Sequence, residues 1–164
     1  MTSEPTTLVT AEMLATRDVW SEPRLAPPIA LPDIRKWAIA VYWPEKPPPL
    51  YWDEEYARGT RWGGIIAPQD FNPFAWPIDR PQVTGFNASA TAATVGQRVM
   101  NGGQTDTYGV PMRPGDVITE RNALVNWEER QGRLGLTLFS YRESRWTNQR
   151  GEFVKSRISI GIRY

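Results

Sequence analysis

Residues 153–164 alternate with a period of two. Val154, Ser156, Ile158, Ile160, Ile162 and Tyr164 fall on one side, and Lys155, Arg157, Ser159 and Arg163 on the other. That period is the mark of a half-buried strand, with the charged set expected to face water. Two longer strand-like segments, 117–130 and 134–148, come before it, with turn signals at Gln131-Gly132 and over 148–151. Residues 102–109 read as a further strand, and PMRPGD (111–116) as a Pro/Gly turn. Three long strands in meander order imply an antiparallel sheet. One face of such a sheet has to be covered, and the upstream half of the chain reads as helical, so the class is α+β.

The upstream half is punctuated by proline. LPDIRKWAIAVYW (31–43) predicts a helix: Pro32 suits its first turn and Asp33 its positive end. Ile34, Trp37, Ala38 and Val41 make its apolar face, with Arg35 and Lys36 off it. Pro44 ends the helix, and Pro47-Pro48-Pro49 force an extended path without N–H donors. Residues 53–59 predict a short helix stopped by Gly59. RWGGIIAP (61–68) predicts a tight turn and a short apolar piece. Pro68 is a candidate helix start that 69–76 would continue, kept short by Pro73 and Pro77. Residues 79–96 are small and polar and read as a long loop. Residues 1–29 read as a mobile lead-in with a short helical piece near 11–17, and 30–164 as one domain.

Bulk properties remove several functions. A chain of 164 residues suits one domain with a real core. The net charge of +1, with scattered basic residues, argues against a nucleic-acid surface. No apolar run approaches the ~20 residues needed to cross a bilayer, so no membrane role is expected. No secretory signal is visible and cysteine is absent, which makes a cytoplasmic location the expectation. Histidine is absent too. That excludes a Ser-His-Asp triad, an imidazole acid or base, and the usual zinc site, so no metal is expected.

Residues 43–76 concentrate aromatics, prolines, a Gly-Gly pair and carboxylates. Asp53, Glu54 and Glu55 form a carboxylate cluster; solvation at a helix N-terminus explains them as well as catalysis does. Asp70 and Asn72 sit among aromatics, where polar groups orient ligands in pockets. Tyr51, Trp52, Phe71, Phe74 and Trp76, with Trp43 and Trp62, are candidates for lining a ligand channel, and equally for core packing. Gly63-Gly64 reads as a plain turn or a close approach. Asn101-Gly102-Gly103 lacks the context of a phosphate loop.

The order PLYWDEEYA, RWGGIIAP, GGQTDTY, PMRPGD and TNQRGEFV resembles the N-terminal half, or a stand-alone subunit, of MaoC-like dehydratases and enoyl-CoA hydratases, also called FAS1-like dehydratase domains. The resemblance covers roughly 30–164. It implies a hotdog fold, a long antiparallel sheet curled around a central helix, paired side by side with a second hotdog. That partner is a catalytic subunit or a second copy of the same chain. The implied ligand is an acyl-CoA thioester, with coenzyme A part of the substrate and no permanently bound cofactor.

Active members of that family read Gly-Asp-x-Asn-Pro-Leu-His, then an apolar run ending in His-Gly. The acid and base add water across a double bond while a backbone N–H polarises the thioester carbonyl. Anchored on Pro49-Leu50, this sequence puts Lys46 at the Asp, Pro48 at the Asn and Tyr51 at the His. Anchored on Ile65-Ile66, it puts Ala67 at the second His and Pro68 at the Gly. Proline carries no N–H. The resemblance therefore implies a non-catalytic subunit that shapes the acyl tunnel, with bulky, steroid-like acyl groups as an extension of that idea. Arg113, Arg142, Arg145, Arg150, Lys155 and Arg157 are candidates for coenzyme A phosphates, although alternating strand charges usually face water. Two other readings are an acyl-CoA-binding or structural homo-oligomer, and a hotdog thioesterase using Asp70.

Overall fold

The computed structural model describes residues 6–75, 98–133 and 135–164. The loop expected over 79–96, and Trp76, lie outside the described residues. The chain runs α1 (Ala11–Thr16), β1 (Arg24–Leu25), α2 (Leu31–Tyr42), α3 (Glu54–Arg58), β2 (Val99–Tyr108), β3 (Thr119–Gly132), β4 (Gly135–Thr147) and β5 (Phe153–Arg163). Strands β1 to β5 form one sheet of order β1-β3-β4-β5-β2, antiparallel throughout. The meander is the β3-β4-β5 run. The first turn lies later than expected: Gln131 and Gly132 belong to β3, and Gly132 pairs with Gly135. Gly135 takes φ 86°, which glycine alone adopts without strain.

Helix α2 forms where the apolar period predicts it, with Pro in its first turn. Its buried stripe is narrower than expected. Ile34 and Ala38 are fully covered and Trp37 packs against the core, but Val41 is exposed, because the last turn outruns the core it packs on. Ile34 shares one buried cluster with Ile118, Met112, Val154, Ile65, Ala67 and Phe71, so the core joins the helix, the GGIIAP segment and the start of the sheet. Each such aliphatic side chain contributes about 1.5–3 kcal/mol when fully buried.

Three expectations need correction. No helix forms over the described part of 69–76. The backbone makes single turns instead, with Phe71 N–H on the Pro68 carbonyl and Ala75 N–H on that of Asn72. Pro73 removes one helical donor, and the Asn72 side chain accepts from Phe74 N–H at 2.9 Å, which favours a turn. The triple proline is extended only as far as Pro48, because Pro49–Tyr51 close a 3₁₀ turn. The lead-in is not a loose tail over residues 6–29. Leu8, Ala26 and Ile29 are buried, and the backbone of 18–29 bonds along β3 and the turn before it. Its polar side chains stay exposed while those backbone bonds hold it to the sheet. No helix among the described residues is long and apolar enough to cross a membrane.

Candidate functional site

The turn motif PMRPGD and the hairpin motif TNQRGE meet in space around Asp116, which is buried. One of its carboxylate oxygens accepts from the Arg113 backbone N–H at 2.8 Å. The other accepts from Gln149 Nε2 at 3.0 Å and Arg150 at 3.4 Å. Next to it, the buried Asn148 side chain accepts from the N–H groups of Arg150 and Glu152 and donates to the Glu152 carboxylate at 2.7 Å. Every polar atom in this clasp has a structural partner, as buried polar groups require. Arg150 is thereby paired with Asp116 and Glu152. The guanidinium of Arg113 donates to the Trp62 carbonyl at 2.8 Å and ties the turn before GGIIAP to the PMRPGD turn.

The positions that the resemblance marks as reactive do not all come together. Tyr51, Ala67 and Pro68 line a single cavity of about 220 Å³, together with Val110, Met112 and Lys155. Ala67 is held there by its N–H on the Met112 carbonyl at 2.8 Å. Gly109 forms part of the wall, and a side chain at that position would run into the Phe153 carbonyl. Among the described residues, no carboxylate lines this cavity. Burial, then the neighbouring Tyr42 hydroxyl and the charge of Asp70, push the Tyr51 phenol up to about 12, so it stays a neutral donor at ordinary pH. Lys46 is exposed, and its ammonium lies over the Trp52 ring at 4.4 Å. The Trp52 indole N–H is taken by the Pro47 carbonyl at 2.9 Å. Pro48 is part of the same turn.

The remaining candidates are spread out. Phe71 is buried in the core, edge-on to Trp37 at 5.5 Å. Phe74 packs on Trp146 at 5.5 Å and carries the Arg24 guanidinium over its other face at 4.9 Å. Asn72 serves the turn, and Asp70 is exposed and outside the lining of the Ala67 cavity. The Asp53 side chain caps α3 by accepting from Tyr56 N–H, and Glu54 pairs with Arg35 at 3.2 Å. Trp43 is exposed.

One feature is absent from the sequence reading. Lys155, expected on the solvent side of β5, is buried, with its ammonium 3.2 Å from Asp106. Arg157 grips the same carboxylate through two bonds of 2.8 Å. These bonds from Arg157, reinforced by Lys155, hold the Asp106 carboxyl far below the usual carboxylate range. The only available signal was the pairing register, which sets Asp106 opposite Arg157 and Tyr108 opposite Lys155. That register becomes visible only once β2 and β5 are known to be neighbours.

A sequence profile of the FAS1-like dehydratase domain region matches residues 19–157. No curated protein matches the chain in sequence. Among solved structures it is similar to the ChsH1-ChsH2 complex from Mycobacterium tuberculosis, at 22% identity over 89% of each chain, with TM-score 0.68. The MaoC-like dehydratase from Rhodospirillum rubrum is similar at 19% identity, over 87% of this chain and 90% of that one, with TM-score 0.56. The HadBC (3R-hydroxyacyl-ACP dehydratase) complex from Mycobacterium tuberculosis is similar at 17% identity, over 86% of this chain and 96% of that one, with TM-score 0.54.

Proposed function

Because this chain belongs to the FAS1-like dehydratase region of the MaoC-like family and has its α+β hotdog fold, we propose that it is a non-catalytic subunit of an enoyl-CoA hydratase or 3-hydroxyacyl-CoA dehydratase. The observation that carries the reading is the Ala67 cavity. Three of the reactive motif positions gather on it as Tyr51, Ala67 and Pro68; its lining among the described residues offers no carboxylate, and the chain has no imidazole. Adding water to an enoyl thioester needs an acid, a base and a donor for the carbonyl oxygen. Here the cavity is a wall, and the reacting groups come from a second hotdog carrying the Asp and the His.

The sheet supports such pairing. Among the described residues, β2 is an edge strand ten residues long, nearly all of it exposed, with Val99, Met100 and Tyr108 presented to solvent. An open edge of that length invites a further strand. Complexes of two named components among the structural neighbours support the idea of a distinct partner. The acyl group would run along the Ala67 cavity. At about 220 Å³ the cavity holds only part of a bulky, steroid-like group, whose remainder would extend across the paired interface.

The test is to purify the chain alone and together with a hotdog subunit carrying Asp-x-Asn-Pro-x-His, then assay hydration of crotonyl-CoA and of larger enoyl-CoA thioesters. The expected result is no turnover alone and turnover with the partner. Hydration by the chain alone would overturn the proposal.

A further inference from the structure

Lys155 is in an unusual position for a strand lysine. Its side chain is 4% exposed, and its stem lies between Tyr108 on β2 and Trp146 on β4, the residues directly opposite it in the two ladders. The ammonium sits over both rings, 5.0 Å from the Tyr108 centroid and 5.4 Å from that of Trp146. Burying an ammonium is costly unless it is paired, and its one carboxylate partner among the described residues is Asp106. Asp106 is shared: Arg157 holds it with both Nε and a terminal nitrogen. Two cations on one carboxylate leave the trio with a net charge of +1. Aromatic faces offset part of that charge, and they accept no full hydrogen bond.

The cation also stands between two cavities. Among the described residues, it alone lines both the apolar Ala67 cavity and a second cavity of about 210 Å³ walled by Arg24, Glu120, Trp146 and Arg157. On the apolar side its neighbours are Tyr51, Ala67, Pro68, Val110 and Val154. A buried positive charge in the wall of an apolar cavity is complementary to an anionic oxygen at the end of a hydrocarbon chain.

We propose that Lys155 anchors the carboxylate of a short apolar carboxylic acid, or of an acyl group carrying such a carboxylate, whose hydrocarbon part occupies the Ala67 cavity. The bound carboxylate neutralises the surplus charge of the trio and takes an ammonium donor that Asp106 leaves free. The site belongs to this chain alone, so it operates whether or not the chain is paired with a catalytic subunit.

The experiment is calorimetric titration of the full chain with hexanoate, with hexanol and hexylamine in parallel. Hexanoate binds at least tenfold more tightly than either. Lys155→Met removes that preference by tenfold or more, Lys155→Arg keeps it, and Asp106→Asn strengthens hexanoate binding by removing the competing carboxylate. Circular dichroism checks that each variant is folded. If Lys155→Met does not fold, Asp106→Asn and Lys155→Arg decide the matter. Absence of hexanoate binding overturns the proposal. Hexanol binding as tightly as hexanoate does the same, as does hexanoate binding that Asp106→Asn fails to strengthen. Hydration by the paired complex, with no hexanoate bound by the single chain, overturns this inference and leaves the pairing reading intact.

Discussion

The Asp116 clasp and the Ala67 cavity are built from neighbouring motifs, and they treat polar groups in opposite ways. In the clasp a buried carboxylate takes a backbone N–H, a glutamine amide and a guanidinium, and Asn148 repeats the pattern beside it. In the cavity the positions of the family's two His and of its N–H donor carry Tyr51, Ala67 and Pro68. Both regions are covered by the same core. What separates them is the work the polar group does. Removing the buried Asp116 carboxylate takes the acceptor from three donors at once, whereas an apolar cavity wall leaves no donor without one. A chain relieved of chemistry can lose its reactive groups and still fold, provided the groups that tie its motifs together stay.

The comparison is most exposed at Asp116. Asp116→Ala removes the acceptor of the Arg113 N–H, the Gln149 amide and Arg150, and should cost about 2 kcal/mol in urea unfolding. A loss below about 1 kcal/mol would mean that the clasp is decoration. The cavity should respond in function rather than in folding. Ala67→Leu fills part of its volume, and in the paired complex should raise KM for longer enoyl-CoA thioesters about tenfold, equivalent to about 1.4 kcal/mol. An unchanged KM would place the acyl group elsewhere.

A smaller effect is expected at the α3 cap. Asp53→Ala removes the acceptor for Tyr56 N–H and should cost about 1 kcal/mol by thermal unfolding, with hydration by the complex unchanged. Loss of turnover without loss of stability would return Asp53 to the list of reactive groups.

The last prediction concerns pH. The Asp106 carboxyl is held low in the folded state by Arg157 and Lys155, so its contribution is present above the ordinary carboxylate pKa of about 3.9. That contribution is lost as pH falls from there through the folded-state value. Wild-type protein should therefore lose more stability between about pH 5 and pH 2 than Asp106→Asn does, measured by urea midpoints. Parallel curves would show that the Asp106 cluster contributes nothing to acid stability.

Much of the architecture was legible because it rests on local signals. The period of two in 153–164 and the apolar period of α2 can be read residue by residue, and both elements form where those periods place them. The PMRPGD turn is legible for the same reason, with Gly115 at φ 86°. The failures share a cause as well. The expected helix over 69–76 lost to Pro73 and to an Asn72 side chain that competes for the backbone. The buried Lys155 contradicted the alternation because a strand face is polar or apolar only by what covers it, and Tyr108, Trp146 and Asp106 cover that lysine.

By itself, then, the sequence determined the antiparallel meander and the helix before it, the absence of imidazole and thiol, and the family resemblance, since each depends on residue type and spacing along the chain. Only the tertiary structure decided that Tyr51, Ala67 and Pro68 share one cavity while Lys46 lies outside on Trp52, and that Lys155 stands between two cavities. Those facts depend on which strands become neighbours and on what lies over them, and no local period encodes either.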